Sequence, residues 1–197
     1  MEGLGGIVYN KFRMFKGKLW LHQMVLFGVL GVLVLWSVIN KSFAFNLGLL
    51  WWLLGIMVGF LFVFLDRLVY SLFSNPNETL GLRIKELFGR KKFVEGIRPL
   101  LAERYDQKEL VMRSAMFLVV WIVLAFFTAT SVASFVARGF VLGIGTHLIF
   151  DLVYDFFYEK ERLDLWFWQI KRTLEPEEKF WFVAVASVMY IFLAFNL

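Results

Sequence analysis

Long apolar runs without charge recur along this chain, and each has roughly the length of a membrane-spanning helix. A bilayer core of about 30 Å requires about 20 residues of α-helix at 1.5 Å per residue. Four runs approach or reach that length, so we predict a spanning helix for each. The runs are Met24–Ile39, Leu47–Leu65, Ser114–Ala137 and Phe180–Leu197.

A fifth stretch, Gly139–Tyr158, is as long and mostly apolar, but it contains His147, Asp151 and Asp155. It predicts either a fifth span or a re-entrant helix, because irregular backbone is tolerated at membrane depth where protein or water covers it.

The basic residues favour five spans, because lysine and arginine in short loops stay on the cytoplasmic side. With five spans and a cytoplasmic N-terminus, only Lys41 and Arg138 of the 21 basic residues lie outside. With four spans, the five basic residues between positions 160 and 179 would lie outside as well. We therefore predict an all-α, multi-pass protein of the inner (plasma) membrane, with four spans plus a re-entrant helix as the alternative.

Three polar segments lie between or before the spans, at residues 1–23, 66–113 and 159–179. The first alternates apolar and basic positions at helical spacing, and the third places tryptophans beside Lys171 and Arg172. Both patterns are typical of the headgroup level of a membrane. We expect amphipathic helices on the cytoplasmic face, with anionic lipid headgroups as partners. For segment 1–23 the alternative is a basic topology anchor that makes no specific lipid contact.

Segment 66–113 carries its own helix signals. Asn77 is a candidate N-cap and Glu78 follows in the first turn, where the helix dipole favours an acid. Apolar positions 80, 84, 87 and 88 then repeat at helical spacing up to Gly89, which predicts one amphipathic helix, and Pro99 predicts the start of the next.

Composition narrows the function classes. Hydrophobic residues make up 60% of the 197 positions and charged residues 19%, and the mean hydropathy is +0.69. So much apolar surface excludes a soluble enzyme domain, and the absence of cysteine excludes disulfides, thiolate metal sites and a cysteine nucleophile. The net charge of +5 follows from the predicted topology, so we expect no nucleic-acid partner and a single membrane domain over residues 1–197.

His147, Asp151 and Asp155 are spaced four residues apart and therefore share one face of a helix. An aspartate at the centre of a span costs about 2.5–3.5 kcal/mol, so each of these groups needs a partner or a function. They could bind a divalent cation, relay protons, or form structural pairs with cations of the chain.

Other ionisable residues are candidates to complete this face. Asp66 ends the second predicted span at the level of Asp155, so the two acids could share a cation. In the structural alternative, Arg67, Arg113 or Lys160 neutralises the aspartates.

Two pairs of glycines have the spacing that lets membrane helices approach closely. They are Gly55 with Gly59 and Gly139 with Gly143. We expect packing within the chain, with contacts in a homo-oligomer as the alternative.

Two lipid-enzyme families share fragments of their motifs with this chain. Lys91, six residues, Arg98 and Pro99 resemble the first motif of type 2 phosphatidic acid phosphatases, and Arg138 with His147 and Asp151 resembles the third. The middle Pro-Ser-Gly-His motif is absent, and the predicted topology places Lys91 and Arg138 on opposite sides of the membrane, so we reject this relationship.

The series Gly143, His147, Asp151 and Asp155 is similar to the closing half of the CDP-alcohol phosphotransferase signature, but the opening half is missing. The run 114–172, ending in Trp-Gln-Ile-Lys-Arg, resembles small polytopic membrane proteins of bacteria with reduced genomes. That resemblance implies no activity.

Three functional hypotheses follow. The leading one is an intramembrane cation or proton site on the His147/Asp151/Asp155 face, used for ion permeation or coupled transport. The second is a metal-dependent enzyme acting on a lipid phosphate. Arginines and lysines of segment 66–113 would bind that phosphate, and the candidates are Arg67, Lys91, Arg98 and Arg113. The third is a non-catalytic membrane scaffold or assembly factor.

Overall fold

The computed structural model describes residues 20–21, 23–36, 39, 47–102, 107–131 and 134–197. These residues form nine α-helices, one π-helical turn at Tyr70–Ser74, and no strand, which confirms the all-α prediction for this part of the chain. The predicted amphipathic segment 1–23 lies almost entirely outside the described residues. The helices are α1 (Gln23–Trp36), α2 (Leu47–Phe62), α3 (Leu65–Val69), α4 (Thr79–Gly89), α5 (Phe93–Ala102), α6 (Ala115–Ser131), α7 (Phe135–Tyr158), α8 (Lys160–Leu165) and α9 (Pro176–Ala194).

Two helical stretches among the described residues are long and apolar enough to cross a membrane: Leu47–Ser74, with 28 residues, and Phe135–Tyr158, with 24. Helices α1 and α6 are apolar but shorter. The five-span count therefore stays a prediction.

The chain divides into two compact units. Of the residues that the structure describes, the larger unit comprises those between positions 26 and 64 and between 111 and 197, and the smaller comprises those up to position 25 and between 65 and 110.

Helix α7 is the centre of the larger unit and packs against α2, α6, α8 and α9. Its side chains are buried around most of its circumference, among them Leu142, Leu148 and Leu152, which are at most 1% exposed. A helix enclosed in this way by its neighbours can hold polar side chains without presenting them to lipid or water.

The contact between α2 and α7 is made by glycines. A Cβ atom on Gly59 would overlap the backbone carbonyl of Phe140, and one on Gly143 would overlap that of Ile56. Gly55 and Gly139 meet the facing backbone in the same way. The two backbones therefore touch directly, which is the packing that small residues permit in membrane helices.

The boundary between α6 and α7 lies a few residues earlier in the sequence than predicted. Helix α6 ends at Ser131 and α7 begins at Phe135, with Ser134 as N-cap accepting a hydrogen bond from the Ala137 amide at 3.4 Å. The predicted span Ser114–Ala137 is wrong at its end, because a serine N-cap outweighs the continuous apolar pattern. Arg138, expected in an outer loop, lies in the first turns of α7.

Asp66 was expected to end the second span, and this membrane boundary stays a prediction. After a turn at Val63 and Phe64 the chain resumes as α3, so the helical stretch continues to Ser74 and contains Asp66. The apolar sequence after Arg67 supports these further helical turns.

In the smaller unit, α4 and α5 pack through Leu80, Ile84 and Leu100. Helix α4 ends at Gly89 as predicted, but its N-cap is Glu78 instead of Asn77. Pro99 lies inside α5 and does not begin a helix. Helix α5 starts six residues earlier, directly after the backbone reversal at Lys91, whose φ is 59°.

Candidate functional site

Three polar side chains meet in the interior of the larger unit. His147 and Asp151 occupy successive turns of α7, and Arg113 comes from the segment just before α6. All three are at most 5% exposed. The Nη2 atom of Arg113 lies 2.6 Å from Asp151 Oδ2 and 3.0 Å from His147 Nε2, and the histidine nitrogen lies 3.4 Å from the same carboxylate oxygen. We call this group the Arg113 triad.

A backbone carbonyl fixes the state of the histidine. His147 Nδ1 lies 2.8 Å from the carbonyl oxygen of Phe60, which can only accept a hydrogen bond. Nδ1 therefore carries the proton, and Nε2 is left to accept from Arg113. This assigns a neutral imidazole whose two nitrogens are both used.

The end of α2 makes that carbonyl accessible. The amide of Phe64 bonds to the carbonyl of Leu61 at 3.0 Å, so it does not bond to Phe60 in the helical pattern. The turn at Val63 and Phe64 thus supplies the acceptor for His147. The rings of Phe60 and Phe64 lie 4.6 and 4.8 Å from the imidazole.

The electrostatics of the triad are balanced. The guanidinium of Arg113 and the carboxylate of Asp151 form an ion pair and cancel in charge, and Nη2 of the same guanidinium donates a hydrogen bond to His147. A single buried charge is strongly unfavourable, and an opposite charge in direct contact offsets part of its desolvation cost. Arg113 therefore supplies the positive charge that the sequence pattern led us to expect from a bound cation.

No group of three or more His, Cys, Asp or Glu side chains within the described residues could hold a metal ion. The divalent cation expected from the sequence is therefore unsupported.

Asp155 lies one turn beyond Asp151 and forms its own set of contacts. The indole Nε1 of Trp166 donates to Asp155 Oδ2 at 3.1 Å, and Arg162 Nε lies 3.7 Å from Oδ1. Arg162 also lies 3.3 Å from Glu159. The sequence suggested Arg67, Arg113 or Lys160 as the neutralising cation, and neither Arg162 nor Trp166 was identified as a partner. The sequence contains little indication of Arg162 as a partner. Helix α7 ends at Tyr158, and the separate helix α8 places Arg162 beside Asp155.

The remaining predicted site residues belong to the smaller unit. Asp66 and Arg67 are buried there, and Arg67 Nη1 donates to the carbonyl of Leu100 at 3.1 Å. Lys91 and Arg98 are exposed. The participation of Asp66 in a site with Asp155 stays a prediction.

Further polar contacts connect α7 to its neighbours. Trp121 of α6 donates through its indole nitrogen to the carbonyl of Val141 at 2.8 Å, and its ring lies where a Cβ on Gly145 would be. The hydroxyls of Thr146 and Tyr190 are 2.8 Å apart. These interhelical bonds position the helix that carries His147 and Asp151, so the triad rests on a well-supported element.

Comparison of the chain with protein-family models, with curated proteins and with solved structures gives no match.

Proposed function

We propose that this chain is an integral membrane protein whose buried ionic groups are structural, so that it acts as a non-catalytic membrane scaffold. The observation that carries the proposal is the Arg113 triad, in which Asp151 is neutralised by an arginine of the same chain at 2.6 Å. A permeation or metal site needs a carboxylate that is available to a foreign cation, and here the chain provides the cation.

The arrangement of apolar side chains supports the membrane location. Helices α2, α6 and α9 of the larger unit expose large apolar side chains, while their interior holds Arg113, His147 and Asp151. Such contiguous apolar surface is rare in soluble monomers and ordinary in lipid. Examples of the exposed positions are Leu54 and Leu61 on α2, Val123 and Phe126 on α6, and Val188 and Phe192 on α9.

The smaller unit suits the membrane surface. Helix α5 exposes Phe93, Val94 and Ile97 on one side, and residues 83–98 contain six lysines or arginines against two glutamates. An apolar strip beside basic residues favours an anionic leaflet. The scaffold would therefore present the α4–α5 unit at the cytoplasmic surface.

The proposed topology has five crossings, a cytoplasmic N-terminus and location in the inner membrane. Because the chain contains no cysteine, a single introduced cysteine is the only thiol that a maleimide can label. We expect Asn40→Cys to react with a membrane-impermeant maleimide in intact cells and Glu161→Cys to react only after permeabilisation. Labelling of position 161 from outside would overturn this topology.

A proton-handling role is the second candidate, and the observation that favours it is the 3.4 Å between His147 Nε2 and Asp151 Oδ2. At that separation a modest movement of Arg113 would let a proton pass between them.

Flux measurements separate the two candidates. We expect proteoliposomes containing the purified chain to hold a proton gradient as long as protein-free liposomes do. Faster decay of the gradient that disappears in Asp151→Asn, but persists in the surface variant Asp164→Asn, would overturn the scaffold and establish the second candidate.

A further inference from the structure

A cleft of about 560 Å³ opens beside the end of α7, outside the Arg113 triad. Phe156 and Phe157, in the last turn of α7, form an apolar wall. Lys160, Glu161 and Asp164 of α8 and Lys179 of α9 supply charges of both signs. The cleft thus joins an apolar surface to a charged rim.

The four charged side chains differ in their pairing. Lys179 and Asp164 form an ion pair with each other. The side chains of Lys160 and Glu161 have neither a hydrogen bond nor an ion pair among the residues that the structure describes. The cleft therefore presents one cation and one carboxylate, adjacent in sequence, that remain able to bind charges of a ligand.

The position of the cleft indicates where such a ligand would come from. Phe156 and Phe157 lie in the last turn of a helix that is long and apolar enough to cross a bilayer. The end of a spanning helix lies at the level of the lipid headgroups.

We propose that this cleft binds the headgroup of a phosphoethanolamine lipid. The phosphate is held by Lys160, the primary ammonium donates hydrogen bonds to Glu161, and the first methylenes of the lipid lie along Phe156 and Phe157. The zwitterion fits because both of its charges meet an opposite partner, and hydrogen bonds between charged groups are stronger than neutral ones. This inference rests on the membrane location proposed above.

The same chemistry predicts selectivity. A choline headgroup keeps the phosphate but has no N–H, so it cannot donate to Glu161. A phosphoglycerol headgroup has no cation at all and leaves Glu161 beside an uncompensated anionic lipid. We therefore expect a preference for phosphoethanolamine over both, with Glu161 as its determinant.

The test measures which lipids the purified chain retains from mixed micelles containing equal amounts of the three phospholipids with identical acyl chains. We expect retention of phosphatidylethanolamine on the order of tenfold above phosphatidylcholine, the ratio that about 1.4 kcal/mol of extra binding gives. Glu161→Gln should abolish this preference. Lys160→Gln should reduce retention of both phospholipids that carry a zwitterionic headgroup.

Lys171→Gln and Glu177→Gln are matched controls, because both remove an exposed charge outside the cleft lining. Both should retain lipid as the unchanged chain does. Equal retention of the three phospholipids by the unchanged chain, or an undiminished preference in Glu161→Gln, would overturn the proposal. Equal binding of soluble glycerophosphoethanolamine would overturn the assignment to a lipid.

Carbonate extraction tests the membrane location separately from the headgroup site. A chain that alkaline carbonate extracts from vesicles is not integral, whatever it retains in micelles. A chain that resists extraction but does not discriminate among the three lipids leaves the membrane location intact and removes only the headgroup site.

Discussion

Asp151 and Asp155 occupy successive turns of the same helix and are each 1% exposed, yet the protein accommodates them differently. Asp151 contacts an arginine at 2.6 Å, and that arginine also donates to His147. Asp155 receives an indole N–H at 3.1 Å and has Arg162 at 3.7 Å. One carboxylate is held by a full charge at contact distance, and the other by a neutral donor with a more distant charge.

The two partners also differ in their origin along the chain. Arg113 precedes α6 and reaches Asp151 through tertiary packing, whereas Arg162 and Trp166 follow Asp155 within eleven residues. Contacts of the first kind depend on the assembled bundle, and contacts of the second kind on the local path of α8. The comparison predicts that Asp151 is the more sensitive of the two.

Removal of the partner of Asp151 should have the largest effect. Arg113→Leu leaves a buried carboxylate without its cation, and we expect a loss of about 3–5 kcal/mol in the free energy of unfolding. Reversible unfolding in mixed micelles measures it. The double variant Arg113→Leu/Asp151→Leu should recover most of the loss, because it removes both charges. A single variant within 1 kcal/mol of the unchanged chain would contradict the triad.

The partners of Asp155 should each matter less. Arg162→Leu leaves the Trp166 hydrogen bond in place, and Trp166→Phe leaves the arginine, so we expect about 1–3 kcal/mol for each. The same unfolding assay applies. If Arg162→Leu costs more than Arg113→Leu, the ranking of the two carboxylates is wrong.

Substitution of His147 tests the neutral bridge between Arg113 and the Phe60 carbonyl. His147→Leu removes one donor and one acceptor, with an expected cost of about 1–3 kcal/mol. His147→Gln, which keeps both an N–H and an oxygen acceptor, should cost less. An equal cost for the two variants would show that ring packing, and not hydrogen bonding, determines the effect.

An exposed ion pair gives the smallest expected effect and completes the comparison. Arg172 bonds to Glu178 at 2.5 and 2.8 Å, just before the predicted span, and these hydrogen bonds lower the pKa of Glu178 from 4.5 to about 2. The folded-state pKa is depressed, so the contribution to stability is present above pH 4.5 and disappears as the pH falls towards 2.

Glu178→Gln should remove only that pH-dependent part, which solvent screening keeps small. Unfolding measured between pH 2 and pH 6 with and without the substitution checks it. A larger effect at pH 6 than that of Arg162→Leu would contradict the distinction between buried and exposed pairs.

The sequence predicted part of this arrangement. Helical spacing placed His147 and Asp151 on one face, and the structural alternative named Arg113 as a neutralising cation. The Phe60 acceptor had no sequence signal, because it depends on a hydrogen bond shifted by one residue at the end of α2. Backbone register of that kind is decided by packing, which residue spacing does not reveal.

Helix boundaries were also only partly predictable. Hydropathy indicated the apolar stretches, but it merged the end of α6 with the start of α7 because Ser134 is a small break in a long apolar run. Pro99 was expected to start a helix, whereas α5 begins at Phe93 and tolerates the proline within it. The proline removes one backbone hydrogen bond, and the next residue, Leu100, is buried against Leu80 and Ile84 of α4, which favours the helix there.

The direct backbone contact between α2 and α7 has a consequence for biosynthesis. The glycines on α2 precede their counterparts on α7 by about 80 residues, and ribosomes add about 5–20 residues per second. For several seconds α2 is therefore synthesised while the helix that packs against its glycines is not. During that interval any other helix with small residues at four-residue spacing could pack against the α2 glycines instead. Correct assembly requires that α7 packs there first.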